Sequence, residues 1–355
     1  MPLLSVKCTD FRCLEGAALE FGAGNNLIFG ANASGKTSIL EAVGYLGRGR
    51  SFRGANTRDL VRHGSDEFLV VGKANTGTRT VSIGVRNSRS GLEVHADGEK
   101  RSSAAALAEA LPLQIIDPDI HDLVAGGPEN RRRYIDWMAF HVEHGYLETW
   151  RRFRRALKQR NAALRAGTNR SALGGWDHEL AELGVELDSA RRRVLDIVRP
   201  SLVEMGEGLL RSPIDFEYRR GWAAEFSLAD AIAGTTDRDI QLGSTQAGPH
   251  RADMKLVYDE RQARKLVSRG QQKLLACALI LAATEVVQTH LEKPLLLLLD
   301  DPSAELDEES VGRLMSSVEG LGCQVIATTL DRTAALFSTA PTLFHVEQGR
   351  VERVF

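Results

Sequence analysis

The segment GANASGKT at residues 30–37 constrains this chain more than any other. Its spacing, G-x-x-x-x-G-K-[ST], is that of a P-loop, in which backbone N–H groups cradle phosphates, the lysine reaches the β- and γ-phosphates and the final hydroxyl ligates Mg²⁺. Apolar NLIF precedes it and TSILEAVGYL follows, which predicts a strand, a loop and a helix whose N-terminus faces the phosphates. A chance glycine-rich turn is the alternative, and this context disfavours it. We therefore expect a nucleoside triphosphate site formed by Gly30, Asn32, Ser34, Gly35, Lys36, Thr37 and Ser38.

A second segment, KPLLLLLDDPSAELDEES at residues 293–310, predicts the metal half of the same site. An apolar strand that ends in two aspartates is a Walker B arrangement, in which Asp300 and Thr37 would hold Mg²⁺. We expect Asp301 to act in catalysis with Lys36, as the base or water-positioning carboxylate. Adjacent carboxylates repel each other unless a cation lies nearby. The alternative is a buried strand followed by a solvated acidic turn.

A third segment, SRGQQKLLACALILAATEV at residues 268–286, opens a long apolar helix with Ser268, Gly270 and Gln271. It resembles the signature motif of ABC-type ATPases, in which the serine and glycine of one subunit cover the γ-phosphate bound to the other. A simple helix N-cap at Ser268 would give the same pattern. SAELD at residues 303–307 resembles the D-loop of those enzymes, which favours the signature. The resemblance implies that two chains pair around ATP.

The pattern of strands and helices changes along the 355 residues. Short alternating segments up to about residue 120 predict mixed α/β structure, and residues 121–210 read as almost wholly helical, with a loop at TNRSALGG (168–175) between two antiparallel helices that form an arm. Mixed α/β character returns near residue 245. We therefore predict an α/β fold, an ABC-type P-loop ATPase head with an inserted helical lobe. The head would comprise residues 1–120 plus 245–355, and the lobe residues 121–244.

Composition and the chain ends point to the cytoplasm. The four cysteines lack metal-ligand spacing and read as reduced thiols. MPLLSVKCTDFR is too short and too polar for a signal peptide, and LLLLL at 295–299 reads as a buried strand rather than a membrane span. We expect a cytoplasmic protein without a membrane partner.

Several longer segments carry a resemblance that spans essentially the whole chain. They are DFRCLEGAALEF, GANASGKTSILEAV, GRGRSFRG, GGPENRRRYIDW, KQRNAALR, GPHRADM, SRGQQKLL and LLLDDPSAELD. The chain resembles the RecF family of bacterial DNA-repair and recombination-mediator proteins, which are related to SMC heads but lack their long coiled coil. The resemblance implies slow hydrolysis of ATP with Mg²⁺, ATP-dependent homodimerisation and binding of double-stranded and gapped DNA. It also implies work with RecO and RecR in RecA loading, gap repair, replication-fork recovery and SOS induction.

Some positions depart from the pattern of these ATPases. Ala33 stands where the family usually has a second loop glycine. Alanine is tolerated at this position only if its φ is negative, so we expect a negative φ at Ala33. Thr328 or Thr329 stands where many ABC ATPases have a switch histidine, and either Gln114 or Asp117 takes the place of the Q-loop residue. His250 and Arg251 of GPHRAD read as residues that order a loop or an interface rather than as catalysts.

DNA contact must rest on a local basic patch, because the formal net charge is only −2. Residues 131–170 hold ten arginines and one lysine against three acidic residues. Arginine suits phosphate because its planar fork binds two oxygens. A solvated helix face is the alternative, although acidic partners are few in this segment. We expect DNA contacts at Arg131, Arg132, Arg151, Arg152, Arg154 and Arg155, with a second patch at Arg50 and Arg53.

Two other functions share the P-loop. An ABC-type ATPase subunit that powers a transporter or another assembly is the main alternative, and GRGRSFRG and the arginine-rich segment argue against it. An ATP-dependent nuclease would need a further acidic metal-binding domain after the head.

Overall fold

The computed structural model describes residues 2–354, apart from positions 76, 78, 90, 102, 168–169, 259–260, 263–267 and 333–335. The chain divides into two compact units, residues 1–120 with 292–355, and residues 121–291. Both ends of the chain therefore meet in the first unit.

The first unit contains an antiparallel sheet with the strand order β2-β1-β4-β5-β6-β7. Its strands alternate buried and exposed residues, so one face packs on the core. The strands are β1 Leu3–Phe11, β2 Leu14–Glu20, β4 Phe68–Asn75, β5 Thr80–Ser88, β6 Gly91–Ala96 and β7 Glu99–Arg101.

The second sheet of this unit has the order β15-β14-β3-β13-β12-β8 and is parallel except at β15. Every residue of β8, β12 and β13 is buried, as expected for central parallel strands covered on both faces. The strands are β3 Asn25–Phe29, β8 Leu113–Ile116, β12 Leu296–Leu299, β13 Gln324–Thr329, β14 Thr342–Glu347 and β15 Arg350–Val354.

Helix α1, Lys36–Arg48, packs against strands of both sheets. Its residues 39–47 are all buried, which explains why TSILEAVGYL is apolar around most of its circumference. Gly47 lets the helix approach β8, because a Cβ there would lie 2.4 Å from the Leu113 side chain. The unit also contains α2 Ala105–Ala110 and α9 Glu308–Gly320.

The second unit is mainly helical. Its helices are α3 Asp122–Ala125, α4 Pro128–Val142, α5 Tyr146–Arg165, α6 Arg170–Leu210, α7 Leu228–Leu242 and α8 Arg269–Leu291. Helices α5 and α6 are antiparallel, α7 packs on both, and α6 packs on α8. A small antiparallel sheet joins β9 Ile214–Arg219, β10 Asp253–Tyr258 and β11 Arg261–Gln262.

Two features of this unit differ from the sequence-based expectations. Residues 170–175, expected in a loop, begin α6, and the rest of that predicted loop, residues 168–169, lies outside the described residues. Residues 245–291 group with the helical unit rather than with residues 1–120, because β10 pairs with β9 and α8 packs on α4 and α6.

Among the described helices, α8 alone is long and apolar enough to cross a membrane. Most of its residues are buried inside the protein, from Lys273 to Thr284 without a break. Burial in a core accounts for this composition.

Candidate nucleotide site

The loop between β3 and α1 has the backbone that a phosphate cradle needs. Gly30 has φ +156° and a Cβ there would lie 2.2 Å from the Val346 carbonyl oxygen, while Gly35 has φ +114° and precedes the first turn of α1. Both positions therefore require glycine. The α1 N-terminus presents unsatisfied N–H groups to this loop, a favourable place for an anion.

Ala33 corrects one expectation. Its φ is +60°, in the left-handed region, whereas the sequence-based expectation is a negative φ. The loop keeps the backbone that a glycine would adopt, and alanine adopts it at a cost of roughly 1–2 kcal/mol.

The polar groups of the loop fit a bound phosphate. Lys36 Nζ donates to the carbonyl oxygens of Gly30 and Ala31 at 2.7 and 2.8 Å, so the ammonium lies across the loop. Ser34 is buried, and its hydroxyl has no hydrogen-bond partner among the described residues. A buried hydroxyl without a hydrogen-bond partner is rare in folded proteins, because it costs free energy. A bound ligand that hydrogen-bonds Ser34 would remove that cost. Asn32 is exposed at the loop tip.

Ser38 lies in the first turn of α1. Its Oγ is 3.4 Å from the Sγ of Cys13, an exposed residue of the β1–β2 turn. The predicted phosphate-binding residues from position 30 to position 38 therefore all lie in the loop after β3 or in the first turn of α1.

The parallel sheet brings the acidic residues to this loop. Asp300 follows β12, and its Oδ1 accepts hydrogen bonds from Thr37 Oγ1 at 2.9 Å and from Thr328 Oγ1 at 2.8 Å. The first contact joins the two residues predicted to hold Mg²⁺. Among the described residues no group of three or more His, Cys, Asp or Glu side chains is arranged to hold a metal. Magnesium typically uses one or two protein oxygens and keeps several waters, so a hydroxyl and a carboxylate fit it.

Asp301 lies beside Asp300 with an unusual backbone. Its φ is +48°, its N–H donates to Thr328 Oγ1 at 2.9 Å, and its Oδ1 accepts from Ser303 Oγ at 2.9 Å. Left-handed backbone at a non-glycine residue is strained and is found disproportionately at functional sites. Thr328, one of two candidates for a switch position from the sequence, thus contacts both aspartates, which the sequence pattern does not predict.

Strand β8 places the two Q-loop candidates differently. Gln114 lies inside β8, is buried, and accepts a hydrogen bond from Arg48 at 3.1 Å. Asp117 directly follows β8, and the Asp300 N–H donates to the Ile116 carbonyl oxygen at 2.9 Å. Asp117 therefore lies near Asp300, whose charge contributes to the raised pKa of Asp117.

Burial sets the electrostatics of the site. It raises the pKa of Asp300, against the hydrogen bonds from Thr328 and Thr37 and the charge of Arg53. Burial raises the pKa of Asp117 to about 6, assisted by the charge of Asp119. Partial burial lowers the pKa of Lys36, which the charges of the two aspartates oppose. Carboxylates crowded in a buried place favour a cation among them.

The predicted signature residues lie in the other unit, at the start of α8. Ser268 Oγ accepts from the Gln271 N–H at 3.3 Å, and the Ser268 N–H donates to Gln271 Oε1 at 3.0 Å. This reciprocal pair is a capping box, so the N-cap alternative describes the local contacts. Ser268, Gly270 and Gln271 are not fully buried, which leaves them accessible to a ligand or partner.

The predicted DNA-contact residues separate into two groups. Arg131 is buried, with Nε donating to Asp253 Oδ1 at 2.7 Å and Nη1 donating to backbone carbonyls. It stabilises the second unit and does not fit the expected DNA contact. Arg132 is half-buried and donates to the Ala252 carbonyl oxygen at 2.7 Å. The exposed arginines are Arg151, Arg152, Arg154 and Arg155 on α5, and Arg50 and Arg53 in the first unit.

Two of the α5 arginines contact neighbouring side chains of the same unit. Arg154 stacks on the Trp150 ring at 4.7 Å, and Arg152 Nη2 lies 3.7 Å from Glu179 Oε1. The α5 residues 151, 152, 154 and 155, with Lys158, form one exposed basic surface, called here the α5 basic face.

Comparison with known proteins agrees with this geometry. The family model of the RecF/RecN/SMC N terminal domain matches residues 2–352. The DNA replication and repair protein RecF of Pseudomonas fluorescens strain Pf-5 is 39% identical over 359 residues, covering 99% of this chain and 98% of the relative. A structure of the recombination mediator protein RecF with ATP has a TM-score of 0.90 and 26% identity, covering 99% of this chain and 97% of the other.

A crystal structure of an SMC head, 17% identical, has a TM-score of 0.61 over 100% of this chain and 98% of that one and shares the fold. Fold and site define a P-loop ATPase head of the ABC type with helical insertions, which confirms the predicted fold class. The chain belongs to the RecF family.

Proposed function

We propose that this protein is an ATP-switched, DNA-binding recombination mediator of the RecF type. ATP with Mg²⁺ pairs two copies on duplex DNA near single-strand gaps, and slow hydrolysis releases them. With RecO and RecR the dimer supports RecA loading, gap repair, replication-fork recovery and SOS induction. The work takes place in the cytoplasm.

The observation that carries the proposal is the hydrogen-bonded link from Thr37 through Asp300 to Thr328. It joins the phosphate loop to the acidic strand end, which is what Mg²⁺–nucleotide chemistry requires. The unsatisfied Ser34 hydroxyl supports a phosphate ligand in the loop. A relative in this family has been solved with ATP, which supports ATP as the nucleotide.

Dimerisation rests on the start of α8. Ser268 and Gly270 lie at a helix N-terminus, where N–H groups and the helix dipole favour an anion. We propose that they cover the γ-phosphate held by a second copy. The functional ATPase head would then comprise residues 1–120 plus 245–355, with residues 121–244 as the helical lobe, although residues 245–291 pack with that lobe in the monomer.

DNA binding rests on the α5 basic face. Its four arginines are exposed, and a planar guanidinium that stacks on tryptophan, as Arg154 does, is oriented while its N–H groups stay available. We propose contact with the sugar-phosphate backbone of duplex DNA, which needs no sequence selectivity. Arg132, Arg50 and Arg53 would add contacts, and Arg131 would not.

Partners follow from the relatives. A solved RecF–ATP complex is described as part of the RecFOR pathway, which supports RecO and RecR as partners of this chain. Relatives described as DNA replication and repair proteins support the role at gaps and forks.

The test is fluorescence anisotropy of a labelled gapped duplex, titrated with protein in ATP and in ADP. Tight binding in ATP that is lost in ADP is the expected result. Lys36→Met should abolish nucleotide binding and the ATP-dependent dimer, and Ser268→Arg should keep nucleotide binding but lose the dimer by sedimentation. Equal binding in both nucleotides, or a dimer that survives Lys36→Met, would reject the nucleotide switch.

A further inference from the structure

Thr328 occupies the point where three elements of the nucleotide site meet. It belongs to β13, between β3 and β12 in the parallel sheet, and is 1% exposed. The pairing of Leu299 with Ala327 aligns the ends of β12 and β13, so Thr328 stands beside Asp300. A polar side chain at this depth must have its hydrogen bonds satisfied.

The Thr328 hydroxyl forms a hydrogen bond with each of the two aspartates. A hydroxyl carries one proton and can also accept. Its proton goes to Asp300 Oδ1 at 2.8 Å, and its oxygen accepts from the Asp301 N–H at 2.9 Å. One atom therefore orients the side chain of the first aspartate and the backbone of the second.

The same link reaches the phosphate loop. Asp300 Oδ1 also accepts from Thr37 Oγ1 at 2.9 Å. The four groups form one continuous chain, from the Asp301 N–H through Thr328 and Asp300 to Thr37. Protein atoms alone therefore connect Thr37 to the backbone of Asp301.

Asp301 needs such a support because its φ of +48° is strained. A left-handed residue other than glycine persists only where its surroundings hold it. The Thr328 contact to its N–H is one such restraint, and Ser303 Oγ, bonded to its carboxylate, is another.

We propose that Thr328 is a positioning residue for ATP hydrolysis, which couples the metal-holding carboxylate of Asp300 to the placement of Asp301. This inference rests on the proposed ATPase function. Thr328 touches neither nucleotide nor metal in this role. Removal of its hydroxyl lowers kcat while nucleotide binding is maintained, since the phosphate loop itself is unchanged.

The test compares two substitutions that separate the hydroxyl from the methyl group. Thr328→Val keeps the buried volume and removes the hydroxyl, and Thr328→Ser keeps the hydroxyl and removes the methyl. We expect kcat to fall about tenfold or more in Thr328→Val, because hydrogen bonds to charged groups are the strong ones. KM and the binding of a fluorescent ATP analogue should change less than about threefold, and Thr328→Ser should retain a near wild-type kcat.

A packing role predicts the reverse order, with the valine variant active and the serine variant impaired. Thr284→Val is the matched control: this buried threonine in α8 bonds only its own helix, at the Ile280 carbonyl oxygen, among the contacts described, and should keep wild-type kcat. If Thr328→Val does not fold, Thr328→Cys against Thr328→Ser repeats the comparison at nearly equal size, since a thiol is a weak donor.

The outcomes separate the two proposals. A wild-type protein that neither binds nor hydrolyses ATP would remove the proposed function and this inference with it. A wild-type protein that hydrolyses ATP, with Thr328→Val at the same kcat or Thr328→Ser equally impaired, would overturn the role of Thr328 alone.

Discussion

Ala33 and Asp301 both hold left-handed backbone on the rim of the nucleotide site, at φ +60° and +48°. Each costs roughly 1–2 kcal/mol relative to glycine. At Asp301 the strain accompanies a carboxylate expected to act in catalysis. A glycine at this position would relieve the strain but would lack the carboxylate. At Ala33 the side chain is only a methyl group on an exposed loop residue, so it brings no polar group that could offset the backbone strain.

Ala33→Gly should therefore stabilise the protein. We expect the free energy of unfolding to rise by about 0.5–1 kcal/mol, since relief of the strain exceeds the extra entropy of glycine in the unfolded chain. Urea unfolding of wild type and variant measures it. Ala31→Gly is the control: Ala31 is exposed in the same loop without a positive φ, and glycine there should destabilise by a similar amount. A loss of stability in Ala33→Gly would contradict the backbone assignment.

Two half-buried histidines, His141 and His250, should make the stability depend on pH. Burial lowers the pKa of His141 and of His250 to about 4 each, with nearby arginines contributing at His250. Unfolded imidazoles titrate near pH 6.5, so the unfolded chain binds more protons between about pH 4 and 6.5. Stability is therefore lost as pH falls through this window, by up to about 1.4 kcal/mol per pH unit for each histidine.

Denaturant unfolding at pH 7.5 and pH 5.0 checks this expectation. His141→Phe should reduce the difference between the two pH values, whereas His178→Phe, at an exposed position on α6, should leave it unchanged. The raised pKa of Asp117 acts in the opposite direction in every variant, so the comparison between variants is the test. A pH response of His141→Phe equal to that of the wild type would contradict the burial of that ring as a neutral species.

At the scale of elements, one arginine joins three helices of the second unit. Arg160 of α5 is 0% exposed and donates to Asp177 of α6 and to Asp239 of α7, each at 2.6 Å, and to Thr245 Oγ1 at 2.8 Å. Asp239 is itself fully buried. A buried pair of this kind holds elements in one arrangement, and the loss of one partner leaves a buried charge alone.

Arg160→Met should destabilise the protein by about 3–5 kcal/mol, because Asp239 keeps its charge without its partner. Arg155→Met, an exposed arginine on the same helix, should change stability by less than about 0.5 kcal/mol. Thermal and urea unfolding of both variants measure the difference. Similar small losses in the two variants would show that the network does not bear on stability.

The elements that the sequence predicted are those whose cause is local. The strand, loop and helix around GANASGKT follow from glycine spacing and apolar runs within 25 residues. Helix α7 was not predicted, because its sequence LADAIAGTTDRDIQL contains a glycine and two threonines and has only a weak apolar stripe. Part of its support is also non-local, since Asp239 accepts a hydrogen bond from Arg160 of α5. The Ser227 N-cap, which accepts from the Asp230 N–H, was the available local signal.

The candidate site shows the same limit. The phosphate loop and the two aspartates were readable as motifs, whereas the contacts of Thr328 with both aspartates and the place of Asp117 near Asp300 depend on the register between parallel strands. These registers join residues 28 and 183 positions apart, a relation that leaves no periodic pattern in one sequence. The buried role of Arg131 was hidden for a similar reason, since its partner Asp253 lies 122 residues away.

At the scale of the whole molecule, the proposed DNA binding has to be compatible with a net charge of −2. The α5 basic face would allow it, because charges more than about 10 Å from a duplex are largely screened at 0.1 M salt, so the acidic surface elsewhere would repel the duplex little. Affinity that arises from phosphate contacts falls steeply with salt.

Reversal of the four arginines of that face, Arg151, Arg152, Arg154 and Arg155, to glutamate should weaken duplex binding and flatten the plot of log affinity against log salt. Loss of about two to four phosphate contacts reduces the slope by a similar number. The charge control is the double variant Arg86→Glu with Arg89→Glu. These exposed arginines of the first unit pair with Glu67 and Asp66, and their reversal should leave the slope unchanged. An unaltered slope after the fourfold reversal would place the DNA elsewhere.

The order of the parallel sheet has a consequence for synthesis of the protein. Strand β3, which leads into the phosphate loop, is flanked on both sides by strands from the last 32 residues of the chain, β13 and β14. During translation the loop emerges early but has no sheet to hold it until the C-terminal strands leave the ribosome. Chains that stop before residues 324–347 would therefore lack the supported loop, so competence for nucleotide would appear only after β13 and β14 have been made.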